Sequence, residues 1–201
     1  MGAAHRILVT AFEGFTTREG LHISPNPTER LLDQLIKRRP ELIPGVLPVS
    51  FLRTRERLEA LLAEHQPTAW IGLGIAATRD CIDLEAVGLN IEHALGADND
   101  GDSPTGRSIE PMGPPALFSS LRVVDVAREL SQANLPVRVS YSAGTFLCNQ
   151  ALYVGCLHAR RGALDVAAFV HIPLEGVSDP IILTALEGVL DRLPVPIHVR
   201  K

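Results

Sequence analysis

The sequence predicts an α/β protein, a single-domain three-layer α/β/α sandwich around a mostly parallel twisted sheet, and three observations predict it. Short, nearly continuous apolar runs alternate along the chain with stretches of helical period. The runs read as strands covered on both faces, because apolar residues follow one another in them almost without interruption. No stretch repeats at a fixed period and no low-complexity linker divides the chain, so residues 1–201 are expected to form one domain.

Each element follows in order. Residues 6–12 (RILVTAF) form a buried strand that stops at Glu13 and Gly14. Asn26, Pro27 and Glu29 supply an N-cap, a first-turn proline and an acid at the third position, opening a helix with Leu31, Leu32, Leu35 and Ile36 inward, and Pro40 marks its end. Val46 to Phe51 read as a strand, 53–65 as a helix carrying Leu58, Leu61 and Leu62, and 69–75 (AWIGLGI) as another buried strand. From 81 to 91 the pattern is alternation, with a phase slip at Glu85–Ala86 that predicts a bulge or bend. Residues 96–115 are so rich in Gly, Pro and Asp that they are expected to be loop, and a loop of that length is commonly functional. A helix near 122–133, a strand at 135–141, a Ser-Ala-Gly turn, a helix from about 146 to 160, a strand over 166–172 near whose end His171 stands, and a helix near 179–192 complete the alternation.

Composition narrows the function. Nineteen Lys and Arg against 23 Asp and Glu leave a net charge of −4, so no positive field recommends nucleic acid as a partner. Nowhere is an apolar run as long as the roughly eighteen residues a membrane span needs, and the opening MGAAHRILVTAFEGF is broken by Glu13 and lacks a signal-peptide cleavage site. Arg6 stands where N-myristoylation needs Ser or Thr. Three cysteines, an odd number in a chain long enough to fold without staples, favour a reducing compartment, and a soluble cytoplasmic protein is expected.

In a parallel α/β sheet, ligands bind beyond the carboxyl ends of the strands, and two reactive residues fall there. Cys148 follows the Ser142-Ala143-Gly144 turn within the first turns of a helix, where unpaired N–H groups and the macrodipole favour a thiolate. His171 stands near the end of its strand. A thiolate attacks a carbonyl well when an imidazole takes its proton and later delivers it to the leaving amine, and that imidazole needs a carboxylate on its other nitrogen. Glu85 and Asp98 are both available for that place. Cys81, on an alternating strand, and Cys156, mid-helix, read as inert core thiols. His5, His22, His65, His93, His158 and His198 have no metal-ligand spacing, so no metal is expected. The GLGIAA segment at 72–77 breaks the dinucleotide fingerprint, and no cofactor is expected either.

SYSAGTFLCNQALY, residues 140–153, resembles the cysteine active-site motif of the pyrrolidone carboxyl peptidases, also called pyroglutamyl peptidases type I. The likeness extends to ILVTAFEGF (7–15), SPNPTER (24–30), DLEAVGLN (83–90) and FVHIP (169–173), and covers most of the chain. It implies a thiol exopeptidase that removes an N-terminal pyroglutamyl residue from peptides through a thioester, with Cys148 as nucleophile, His171 as general base and acid, and Glu85 as the orienting carboxylate. ADNDG (97–101) also matches a family segment and keeps Asp98 as the rival third member. The resemblance further implies that Phe12, Phe15 and Phe146 line an apolar pocket, though each alone reads as core. Arg79 would stabilise the oxyanion or anchor a loop, and Asn26 would serve the pocket as well as cap a helix. A homo-oligomer, often a tetramer in the family, is the implied assembly. The chain departs from the family pattern at Asp83 and Ala86 around Glu85, at Ala77-Thr78 and at Leu95, in a longer loop 14–25, and in a shorter segment after His171. These departures leave two other readings open: a catalytically impaired homologue that binds pyroglutamyl peptides, and a different cysteine amidase on the same scaffold.

Overall fold

The computed structural model describes residues 6–17, 20 and 22–194. Parts of the N-terminal segment and of the 14–25 loop discussed above, together with His5 and His198, lie outside the described residues. The first strand, β1 (Ile7–Phe12), is buried throughout, and two short strands, β2 (Phe15–Thr16) and β3 (His22–Ile23), pair with each other beyond it. The next helix, α1 (Pro27–Arg38), begins with a complete capping box: the Asn26 side chain accepts from the first turn, and Glu29 accepts from the Asn26 backbone N–H. Leu31, Leu32 and Leu35 are buried along its inner face.

The strand expected at 46–51 is instead β4 (Ile43–Leu47). It contains Pro44 and lies at the edge of the sheet, where a missing backbone N–H need not face a neighbour. Helix α2 (Arg53–His65) and strand β5 (Ala69–Ile75) match the sequence pattern. The alternating stretch after them is two strands in two sheets. β6 (Ile82–Glu85) lies in the central sheet, and β7 (Val87–Leu89) pairs antiparallel with β10 (Ala116–Phe118). The predicted slip is therefore a change of sheet: the Ala86 N–H still bonds the Ser140 carbonyl, whereas its own carbonyl accepts from Ser119. Within the long loop, β9 (Thr105–Arg107) folds back on β8 (Glu92–His93). Helix α3 (Val123–Gln132), strand β11 (Val137–Ser140), helix α4 (Leu147–Arg160), strand β12 (Val166–Ile172) and helix α5 (Asp179–Leu190) follow.

The six-stranded sheet has the order β11-β6-β12-β5-β1-β4. Every neighbouring pair is parallel except β12 with β6, so β6 and β11 run opposite to the other four strands. Residues 76–81, between β5 and β6, are too few to carry a crossover helix, and a short connection reverses the chain. On one face Ile82, Leu84, Val137 and Val170 pack with the apolar sides of α1, α3 and α5. On the other, Trp70 and Phe169 pack with α2 and α4. Among the described residues, no helix is long and apolar enough to cross a membrane.

Candidate active site

Strand period places the reactive groups. Ile82 and Leu84 belong to the α1/α3/α5 core, so Asp83 and Glu85 face the α4 side, as Phe169 and His171 do on β12. Antiparallel pairing sets His171 opposite Asp83, and parallel pairing sets it beside Gly74 of β5. The His171 Nδ1–H donates to Glu85 Oε1 at 2.7 Å, with both side chains buried. That bond fixes the tautomer and leaves Nε2 for the thiol.

Cys148 lies in the first turn of α4, after the N-cap residue Phe146, which offers no side-chain cap. First-turn N–H groups have no partner within the helix and are free to serve a developing anion. The approach to the helix is anchored. Gly144 takes a left-handed backbone at φ +74°, and Thr145 exchanges two hydrogen bonds with His93, at 2.9 and 2.8 Å. Asn149, fully buried, bonds both the N–H and the carbonyl of Leu89 and the carbonyl of Ile91, while Gln150 donates to the Phe51 carbonyl and to Glu92. The Cys148 sulfur meets β5 at Gly74, where a Cβ would lie 2.7 Å from Sγ. Sequence reasoning gave Gly74, Asn149 and Gln150 no part in this site; their signal was their place within AWIGLGI and CNQ.

Electrostatics couple the three groups. Burial alone would lower the His171 pKa, but the Cys148 thiolate, by charge and hydrogen bond, and then Glu85 outweigh it and push the imidazole up to about 9. For Glu85, burial favours the neutral acid, and the bonds and charge of His171, with Arg79, overcome it and hold the carboxyl below its ordinary value. Cys156 is a contrast: desolvation alone pushes its thiol up to about 12, which suits an inert core residue. Burial also raises Cys81, against the pull of Arg138.

Arg79 donates through Nη1 to Asp83 Oδ2 at 2.8 Å and to Glu85 Oε1 at 2.6 Å, and through Nη2 to the Ser142 carbonyl at 2.7 Å. These contacts favour the anchoring role over the oxyanion role. Asp98 is engaged elsewhere: it accepts from the backbone N–H groups of Phe51, Asp100 and Asp102 at 2.7, 2.9 and 2.9 Å. Glu85 is thus the carboxylate on the imidazole, and Asp98 organises a loop.

A cavity of about 110 Å³ opens at the sulfur, and Phe12, Phe15, Asn26 and Phe146 all line it, with Val49, Ile75 and Leu147 completing the walls. The Phe146 ring is braced edge-on by Phe51 at 5.0 Å. Asn26 turns its Oδ1 to the Thr28 N–H and hydroxyl and donates from Nδ2 to the Glu13 carbonyl at 3.1 Å, so its cap role and its place in the wall coexist. Larger hollows among the described residues, such as one of about 410 Å³ between Glu13 and Arg57, are lined by no cysteine. Among the described residues, no group of three or more His, Cys, Asp or Glu gathers as metal ligands.

Fold and site together define a class: a cysteine hydrolase built on an α/β/α scaffold, with a small apolar cavity at its thiol. A family model described as Pyroglutamyl peptidase matches residues 5–190, and the chain belongs to that family. A pyrrolidone-carboxylate peptidase of Oceanobacillus iheyensis is 36% identical over 172 residues, covering 84% of this chain and 83% of the relative. One from Pectobacterium carotovorum is 38% identical over 170 residues, covering 83% and 77% respectively. The solved structure of a mutant pyrrolidone carboxyl peptidase from Pyrococcus furiosus superposes with a TM-score of 0.84 at 28% identity, over 93% of this chain and 97% of that one.

Proposed function

We propose that this chain removes N-terminal pyroglutamyl residues from peptides, with Cys148, His171 and Glu85 as its catalytic groups. The observation that carries the reading is the buried Glu85–His171 bond, with the Cys148 thiol acting on the same imidazole at the mouth of a small apolar cavity. The Cys148 thiolate attacks the pyroglutamyl carbonyl carbon, and the first-turn N–H groups of α4 receive the oxyanion. The carbon–nitrogen bond then breaks, the departing amine takes its proton from His171, and a thioester remains on Cys148. Water, deprotonated by His171, attacks the thioester, which releases pyroglutamate and restores the thiol.

The cavity suits this substrate. A pyroglutamyl ring is small, flat and uncharged, and its walls here are the rings of Phe12, Phe15 and Phe146 with aliphatic neighbours; Asn26 is the polar side chain beside them. The impaired-binder reading loses ground, because the altered positions Asp83 and Ala86 leave the Glu85–His171 bond at 2.7 Å. Three unpaired cysteines support the reducing cytoplasm as the compartment, and likeness to the family supports a homo-oligomer, often a tetramer, of a one-domain chain.

Hydrolysis of matched pyroglutamyl and prolyl aminoacyl reporters tests the assignment. A site that hydrogen-bonds the lactam carbonyl prefers the pyroglutamyl reporter by about tenfold or more in kcat/KM. Equal rates would move the protein to another amidase activity.

A further inference from the structure

We propose that Asp83 is a positioning residue for the Glu85–His171 pair, a fixed carboxylate that pins Arg79 and keeps that guanidinium from neutralising Glu85 alone. The inference rests on the catalytic assignment above and concerns a residue to which that mechanism gives no part.

Register builds the case. Arg138 of β11, Asp83 of β6, His171 of β12 and Gly74 of β5 form one cross-strand row, and Ser140 and Glu85 begin the next. Asp83 and Glu85 are therefore two carboxylates, two residues apart on one face, with 1% and 0% of their surface exposed. Burying two like charges side by side is costly unless each is paired. Both Asp83 oxygens are taken by arginines: Oδ1 accepts from Arg138 Nε at 2.7 Å and Oδ2 from Arg79 Nη1 at 2.8 Å. Although Asp83 is the direct register partner of His171, the imidazole N–H goes to Glu85.

Two consequences follow. Arg79 is held at three points, Asp83, Glu85 and the Ser142 carbonyl, so it joins the Glu85 carboxylate to the turn that leads into α4 and Cys148. Charge is the second. Asp83 and Glu85 balance Arg79 and Arg138, two anions against two cations; without the Asp83 charge the cluster keeps one excess positive charge, which disfavours the imidazolium beside it. The other groups around His171 are Cys148 of α4, Phe169 on its own strand, and, farther along the row, Arg138, which also pairs with exposed Asp80 at 3.1 Å.

The test reads His171 directly, by NMR titration of its imidazole, alongside kcat and KM for a pyroglutamyl reporter. Asp83→Asn, near-isosteric, is expected to lower the imidazole midpoint, move the alkaline limb of kcat/KM to lower pH, and reduce kcat by about tenfold to a hundredfold, with KM within about twofold. Arg79→Lys keeps the charge but cannot bridge three acceptors; it is expected to reduce kcat comparably while moving the midpoint much less. An unmoved midpoint and limb in Asp83→Asn overturns the proposal, as does unchanged kcat in Arg79→Lys should the asparagine variant fail to fold. The titration does not need turnover, so an inactive wild type would refute the peptidase reading and leave the Asp83 test standing.

Discussion

At the scale of single residues, two buried carboxylates that looked interchangeable in the sequence have separate tasks. Glu85 accepts the imidazole N–H, and Asp98 accepts the backbone N–H groups of Asp100 and Asp102 in its own loop and of Phe51 in a neighbouring one. Glu85→Gln is therefore expected to lower kcat by about 10²- to 10⁴-fold with little change in fold. Asp98→Asn is expected to cost about 1–3 kcal/mol of stability, read from the denaturant midpoint, while kcat changes by less than about threefold. The opposite ranking of turnover would transfer the catalytic place to Asp98. Cys148 and His171 were legible from a turn before a helix and from a strand end, because local geometry at helix and strand termini creates their reactivity. The partners of Arg79 were not, since Asp83, Glu85 and Ser142 meet it only through the pairing of distant strands.

Among the elements, β5 and α4 meet most closely at the reacting atom. The sulfur occupies the space a side chain at Gly74 would need, and the Phe169 ring lies within 2.9 Å of the same point. Gly74→Ala is expected to destabilise the fold by about 1–3 kcal/mol and to lower kcat by about 10²-fold through displacement of Sγ; thermal melts and steady-state kinetics read both. An alanine variant with wild-type kcat would mean that the sulfur reacts from another position. Long apolar runs such as β1, β5 and β12, and capped or strongly periodic helices such as α1 and α3, could be read in advance because their own residues specify them. The short strands β2, β3, β8, β9 and β10, of two or three residues each, carry no period of their own and exist only because a partner lies beside them. The reversed direction of β6 and β11 was equally hidden: alternation of strands and helices predicts layers, not the sense of a strand entered by a short connection.

For the whole molecule, the coupled site makes stability depend on pH from both sides. The folded His171 pKa, about 9, lies above its ordinary 6.5, so the stability gained from its partners is complete below pH 6.5 and lost as pH climbs through about 9. Glu85 is held below its ordinary 4.5, so its contribution is complete above that pH and lost on further acidification. Urea midpoints are expected to fall toward both extremes, and Cys148→Ala is expected to flatten the alkaline decline, since the thiolate is the largest influence raising the imidazole. An alkaline decline identical in the two proteins would contradict the coupling. Mass spectrometry of enzyme quenched in acid during turnover shows whether the Cys148 sulfur carries the pyroglutamyl group. A pyroglutamyl adduct is expected on the Cys148 peptide alone, absent from Cys81 and Cys156, with no turnover in Cys148→Ala. Turnover that persists in that variant, or an adduct elsewhere, would contradict that role for Cys148.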